Sequence, residues 1–134
     1  MSPRSEEMID SAGTRLKGAR HALAAGDLDL AVSAAYYAML YAARAALSEH
    51  EEHARRHGGT WGLFHRRFVA TGAFDQGLHS LAQQAQEARE GADYEAKTPP
   101  AEEAKRYVSG AADFIAAVED MLGPGLHGSP PTAS

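Results

Sequence analysis

The longest apolar segment of the chain covers residues 30–47, and only Ser33 and Arg44 interrupt it. A helix that is hydrophobic on nearly all sides must be buried on several of them. The segment therefore predicts the central helix of a helical bundle. Small residues at steps of three and four form one face of this helix, where a second backbone can approach closely. They are Ala31, Ala35, Ala38, Ala42 and Ala45.

A different face of this helix combines apolar side-chain bodies with polar tips. It carries Ser33, Tyr37, Tyr41, Arg44 and Ser48. If these side chains are covered, their hydroxyl and guanidinium groups need hydrogen-bond partners. We therefore predict that Tyr37, Tyr41 and Arg44 belong to a surface that binds a partner.

Apolar residues at helical spacing predict a first helix over residues 5–25, ahead of the central helix. Gly26 suits the left-handed conformation that ends a helix, and the side chain of Asp27 can cap the next one. Because this connection is so short, the first helix and the central helix, predicted over residues 28–48, must run antiparallel.

Three more helices are predicted in the second half of the chain. Thr60 is the predicted cap of a short third helix with an aromatic buried side, and Gly72 ends it. Asp75 caps a fourth helix. Its apolar stripe is predicted to be Leu78, Leu81, Ala85, Ala88 and Ala92. Thr98 as cap and Pro99 at the first helical position predict the start of a fifth helix.

No segment alternates apolar and polar residues as a β-strand does. The sequence therefore predicts an all-α fold, an up-and-down bundle of four long helices and one short helix. A chain of 134 residues has room for one domain with a single core, predicted over residues 1–122. The remaining residues, 123–134, are rich in proline, glycine and serine and predict a disordered tail.

Composition and charge narrow the classes of function. With 13 basic and 18 acidic residues the net charge is -5, which argues against bulk electrostatic binding to nucleic acid but allows a local basic patch. The absence of cysteine excludes disulfides and thiolate sites. Nucleophilic-serine and glycine-rich nucleotide motifs are absent. The N-terminus lacks the apolar core of a signal peptide, and the central segment contains three tyrosines and an arginine. We therefore predict a cytoplasmic protein that does not insert into a membrane.

Residues 53–67 concentrate basic side chains within this acidic protein. A Gly-Gly pair there leads into the predicted third helix, where backbone amides and the helix dipole suit a phosphate. The residues predicted to bind phosphate or a nucleotide are Arg55, Arg56, His57, Gly58, Gly59 and His65. The alternative is a solvated arginine-rich loop.

Histidines in the same region raise the alternative of a metal site. His50, His53 and His57 recur at steps of three and four, a spacing that zinc accepts. A further ligand would have to come from Glu49 or His65. Because the segment has no apolar period and contains the glycine pair, we predict a loop here and no metal.

Another polar constellation lies at the end of the predicted fourth helix. Arg89 and Asp93 are four residues apart and can pair on one helical face. Gly91, which is unfavourable inside a helix, indicates a close approach of backbone or ligand, or a fraying helix end. Tyr94 marks the exit from the helix. The alternative to a functional site is an ion pair beside an anchoring tyrosine.

Taken together, these segments resemble the HEPN superfamily, in particular its small stand-alone prokaryotic members. The resemblance covers about residues 5–122 and rests on the order and spacing of several motifs. They are SAAYYAM at 33–39 followed by Arg44, HGG at 57–59 leading to LFH at 63–65, FVATG at 68–72, and Arg89 followed by Ala92, Asp93 and Tyr94. The resemblance implies an up-and-down helical bundle that is usually dimeric.

The resemblance also implies a class of activity. Many HEPN members are toxins or defence components that cut RNA without metal, and many are encoded beside a minimal nucleotidyltransferase that acts as a partner. Their ribonuclease motif is an arginine, then four to six residues, then a histidine. The pair is brought together across a dimer, so that the arginine stabilises phosphate charge and the histidine moves a proton. The matching residues are Arg89 and Tyr94, and tyrosine, with an unperturbed pKa of about 10, is a poor proton shuttle.

The sequence therefore supports two functional hypotheses. In the first, the protein is a homodimer without a cofactor, and its ribonuclease motif is degraded. It binds a nucleotide, RNA phosphate or a nucleotidyltransferase partner in a toxin–antitoxin or defence type system. In the second, the protein is a metal-independent ribonuclease toxin in which Arg89 and Tyr94 mark a diverged catalytic site and His57, or alternatively His65, supplies the proton transfer. A purely structural dimer is the third alternative.

Overall fold

The computed structural model describes residues 1–49, 59–95 and 97–123, without the side chains of residues 92–95. These parts of the chain form helices and no strand, so the predicted all-α fold is confirmed. The helices are α1 (Pro3–Ala24), α2 (Leu28–Glu49), α3 (Gly59–Phe64), α4 (Gln76–Glu95) and α5 (Ala101–Leu122). A π-helical turn, His65–Val69, continues α3 directly.

Helix α2 is the centre of the bundle. It packs against α1, α3, α4 and α5, and the alanines of its small-residue face are all 0 % exposed, so neighbouring helices cover this face completely. By length and composition α2 is the one described helix that could cross a membrane. However, 67 % of its most apolar window is buried inside the bundle, which is typical of a core helix.

The exposed side of α2 is the face predicted to bind a partner. Ser33, Tyr37 and Tyr41 are half-buried and Arg44 is exposed. Ser48 is the exception, because it is only 9 % exposed. This side of α2 lies between α1 and α4, which both pack against the central helix.

The turn between α1 and α2 has the predicted geometry. Gly26 has a φ of 79°, in the left-handed region, and Asp27 Oδ1 accepts a hydrogen bond of 3.3 Å from the backbone N–H of Leu30. Helix α1 begins two residues earlier than predicted, because Ser2 Oγ accepts a hydrogen bond of 3.1 Å from the backbone N–H of Ser5 and acts as the cap.

Two predicted caps are wrong. Thr60 lies inside α3 rather than before it, and Thr98 does not cap α5. The cap of α5 is Pro100, with an extended backbone at φ -61° and ψ 148°. Pro99 cannot be the first helical residue, because the ring of the following proline disfavours the helical conformation of the residue before it.

The predicted stripe of α4 is confirmed at Ala85, which is buried, and Leu78, Leu81 and Ala88 are half-buried against the core. His79 and Ala82, which the stripe omitted, are also buried. Leu81 extends towards α5, where it packs over Gly110 so closely that a Cβ there would collide with it. The predicted stripe omitted His79 because it contained only apolar residues, whereas the His79 ring fills space among aromatic side chains.

Candidate functional site

Arg89 of α4 lies against the exposed side of α2. Its guanidinium carbon is 5.0 Å from the ring centroid of Tyr37 and 5.9 Å from that of Tyr36. A guanidinium over an aromatic face is attracted by the ring quadrupole, worth about 0.5–1 kcal/mol at exposed sites. The structure thus brings the predicted catalytic arginine to the tyrosine surface that was predicted separately to bind a partner.

Tyr36 connects this surface to the aromatic core. Its hydroxyl accepts a buried hydrogen bond of 3.0 Å from Trp61 Nε1, and its ring meets that of Tyr37 edge to face with centroids 5.4 Å apart. Burial raises the pKa of Tyr36, although the hydrogen bond from Trp61 and the charge of Arg89 oppose it. At neutral pH Tyr36 is therefore a neutral ring beside Arg89 and not a source of protons.

Two arginines converge on the second tyrosine of this face. The guanidinium carbon of Arg15, from α1, is 4.7 Å from the ring centroid of Tyr41, and that of Arg44 is 5.7 Å from it. Hydrogen bonding with Arg15, aided by the charges of both arginines, lowers the pKa of Tyr41. In the described parts of the chain neither arginine pairs with a carboxylate. Arg15 was not predicted from the sequence, because its contact with Tyr41 joins different helices.

His79 lies behind this surface, in the core. It is 6 % exposed, and its ring centroid is 5.9 Å from that of Trp61 and 5.3 Å from that of His65. Its Nε2 is buried and has no hydrogen-bond partner among the described residues. Burial, and to a smaller extent the neighbouring His65, lowers the pKa of His79. His79 is therefore a neutral core residue, which apolar spacing alone did not indicate.

The predicted phosphate-binding segment is described only at its end. Gly59 is the first residue of α3, and His65 is exposed at the start of the π-helical turn. Four of its predicted residues, Arg55, Arg56, His57 and Gly58, lie outside the described residues, as do the histidines predicted as alternative metal ligands, His50 and His53. Within the described ranges, no three metal-ligating side chains are grouped to hold an ion.

The end of α4 is described in part. Tyr94 and Asp93 lie in the helix, but their side chains are outside the description, and with them the predicted ion pair to Arg89. Gly91 also lies within α4, and nothing comes within 4 Å of the place where its Cβ would be. A close approach of another part of the described chain therefore does not account for this glycine.

Comparison with protein families identifies the fold. A family model for the HEPN domain matches residues 5–121, which is most of the chain. The chain belongs to the HEPN family. The resemblance predicted from the sequence is thus confirmed. In this HEPN chain Arg89 and Tyr94, the residues predicted to correspond to the ribonuclease motif, lie five residues apart on α4.

Two curated proteins are similar to this HEPN chain. One is "UPF0332 protein glr0978" from Gloeobacter violaceus, 34 % identical over 79 residues, which cover 59 % of this chain and 63 % of that protein. The other is "Putative toxin MJ0142" from Methanocaldococcus jannaschii, 29 % identical over 103 residues, which cover 77 % of this chain and 70 % of that protein. The chain thus spans less than two thirds of the first relative's length.

Proposed function

We propose that this HEPN protein binds phosphate groups of RNA on the surface formed by Tyr37 and Arg89, as a cytoplasmic module of a toxin–antitoxin or defence type system. The observation that carries the proposal is the position of Arg89 over the Tyr37 ring, 5.0 Å from its centroid. A guanidinium presents a fork of N–H donors that suits phosphate oxygens. A ring that already restrains the arginine reduces the entropy lost on binding.

The relative named as a toxin supports the placement in a toxin-type system. Binding is favoured over cleavage because Tyr94 stands where the ribonuclease motif has its histidine. Of the described histidines, His79 is a poor candidate for moving a proton, because it is buried with a lowered pKa.

RNA affinity should depend on Arg89. In the full chain, Arg89→Gln should weaken binding of a labelled unpaired RNA about tenfold, because it removes the charge and the donor fork but keeps a polar side chain. Arg20→Gln, which removes an exposed arginine of α1, is the matched control and should bind like wild type. Fluorescence anisotropy measures the affinity, and thermal melting verifies that each variant is folded.

The salt dependence of binding provides a second measurement on the same variants. Loss of one phosphate contact lowers the slope of log affinity against log salt by about 0.7 for a single strand. An Arg89→Gln protein with wild-type affinity and slope would contradict the proposal. The predicted contribution of the basic segment is tested in the same way, with the double variant Arg55→Ala and Arg56→Ala.

Metal-independent ribonuclease activity is the second candidate, favoured by the name of the toxin relative. It is measured by incubating wild type, Arg89→Gln, His57→Ala and His65→Ala with RNA in excess chelator. Loss of cleavage in Arg89→Gln together with one histidine variant would establish the enzyme. Equal cleavage by all four proteins would identify a contaminating nuclease, and no cleavage by wild type is the result that the binding proposal expects.

Two protein partners are also part of the proposal, a second copy of this chain and a minimal nucleotidyltransferase. Both are supported by the family, in which such partners are common. Sedimentation velocity over a range of loading concentrations measures self-association. Co-purification with a nucleotidyltransferase encoded next to this gene tests for the second partner. A monomer at every concentration would contradict the homodimer.

A further inference from the structure

We infer that Arg15, Tyr41 and Arg44 form a second phosphate-binding site, which continues the site at Tyr37 and Arg89, so that one unpaired RNA strand lies along the exposed side of α2. This inference rests on the proposed function for the identity of the ligand. It adds a residue from α1 to the surface and specifies single-stranded RNA.

Two cationic side chains lie at Tyr41. Their guanidinium carbons are both within 6 Å of its ring centroid, at 4.7 Å for Arg15 and 5.7 Å for Arg44. In the described parts of the chain no carboxylate pairs with either group, although acidic residues outnumber basic ones in this protein, 18 to 13. A phosphate bound at this ring would be attracted by both positive charges.

The two tyrosines lie in register along α2. Tyr37 and Tyr41 are four residues apart on the same side of the helix, which corresponds to about 6 Å along its axis, similar to the spacing of successive phosphates along a nucleic-acid strand. Arg89 approaches the first ring from α4, and Arg15 approaches the second from α1. Together with Arg44, three helices thus contribute cationic groups to these two rings.

Aromatic rings accompany the cations on this surface. Proteins that bind single-stranded nucleic acid combine a positive groove with rings on which unpaired bases stack, and each such base contributes about 1–3 kcal/mol. Both rings are half-buried, so part of each is accessible. Bases in an RNA duplex are already stacked and paired, and duplexes are recognised by shape over about 16 base pairs. The surface therefore fits an unpaired strand.

The test compares variants of the second site on two RNAs. With an unstructured RNA of about ten nucleotides, we expect Arg15→Gln and Arg44→Gln each to weaken binding by about three- to tenfold and to lower the salt slope by up to about 0.7. Tyr41→Phe, which keeps the ring and removes the hydroxyl, should lose less affinity than Tyr41→Leu, which removes the ring. Arg20→Gln on α1 remains the matched control, and a blunt duplex of the same sequence should bind more weakly to wild type.

The outcomes separate this inference from the proposed function. If wild type fails to bind RNA, or Arg89→Gln binds like wild type, the proposed function fails. If Arg89→Gln weakens binding but Arg15→Gln and Arg44→Gln do not, the second site alone is overturned. Equal affinity for duplex and unpaired RNA would contradict the single-strand specificity. A change in sedimentation of the Arg15 and Arg44 variants with unchanged RNA affinity would show that this surface binds a second copy of the chain and would also overturn the inference.

Discussion

The hydrogen bond from Trp61 to Tyr36 joins α3 to α2 at the inner edge of the candidate site. It is 3.0 Å long and buried, and the Trp61 ring also contacts Phe64, His79 and Phe114. The indole N–H has no access to water there, so the loss of its acceptor would destabilise the fold more than the loss of an acceptor from an exposed donor. The position of Tyr36 beside Tyr37 and Arg89 therefore depends on a core contact.

Tyr36→Phe should destabilise the protein by about 1–3 kcal/mol, because it leaves the buried N–H of Trp61 without an acceptor. Tyr37→Phe is the matched control. It removes a hydroxyl from a half-buried ring at the surface, and the expected change is below about 0.5 kcal/mol. Urea denaturation followed by circular dichroism measures both free energies of unfolding. Similar stabilities for the two variants would show that the buried hydrogen bond contributes little.

Helices α4 and α5 are held together where Leu81 packs over Gly110. A side chain at Gly110 would collide with Leu81, so the absence of a Cβ sets how closely the two helices approach. Gly18, in α1, provides a contrast, because nothing lies within 4 Å of the place where its Cβ would be. The same substitution therefore has opposite expected effects at the two glycines.

Gly110→Ala should lower the free energy of unfolding by about 1–3 kcal/mol, because Leu81 has to move. Gly18→Ala should raise it by about 0.5–1 kcal/mol, because alanine restricts the unfolded chain and suits an exposed helix. Chemical denaturation of both variants beside wild type measures the two changes. A loss of stability in both, or in neither, would contradict the packing described for α4 and α5.

The helices differ in how well the sequence predicted them. The central position of α2 follows from a property of the segment itself, since an apolar run of that length has to be covered. The place of His79 on the inner face of α4 could not be found in this way, because only the surrounding rings of Trp61 and Phe64 make His79 a core residue. The start of α5 depends on local sterics and could have been predicted. Thr98 was chosen as the cap because the effect of Pro100 on the conformation of Pro99 was left out.

The candidate site was predicted as separate parts. Tyr37, Tyr41 and Arg44 share a helix face and could be grouped by their spacing, and Arg89 could be assigned by the family motif. The packing of α4 and α1 against α2 places Arg89 over the ring of Tyr37 and Arg15 over the ring of Tyr41. Such contacts between distant segments are not encoded in helical periodicity.

At the scale of the whole molecule, the buried His79 makes stability depend on pH. In the unfolded chain a histidine binds a proton below pH 6.5, its ordinary pKa, whereas burial keeps the folded pKa of His79 lower. Between these two pKa values the unfolded state binds more protons than the folded state. Stability must therefore decrease as the pH falls below 6.5 and stop changing from this cause below the folded pKa.

His79→Phe should reduce this loss of stability in acid, because the ring remains apolar at every pH. The titratable group that faces His79 is His65, 5.3 Å away between ring centroids, so the measurement includes His65→Gln. His21→Gln, at an exposed position of α1, is the control. Free energies of unfolding measured between about pH 5 and about pH 8 give the slope of stability against pH. One proton contributes at most about 1.4 kcal/mol per pH unit to this slope. An unchanged slope in His79→Phe would assign the acid sensitivity to other groups.

The central position of α2 has a consequence for synthesis on the ribosome. Leu28–Glu49 leaves the exit tunnel well before Ala101–Leu122 has been translated. The nascent chain can close the α1–α2 hairpin early, but the side of α2 that α5 will cover stays bare until α5 has been translated. Exposed apolar surface of this kind attracts chaperones or promotes aggregation. A stalled or prematurely terminated product that lacks α5 is therefore the form of this protein that a cell would have to remove.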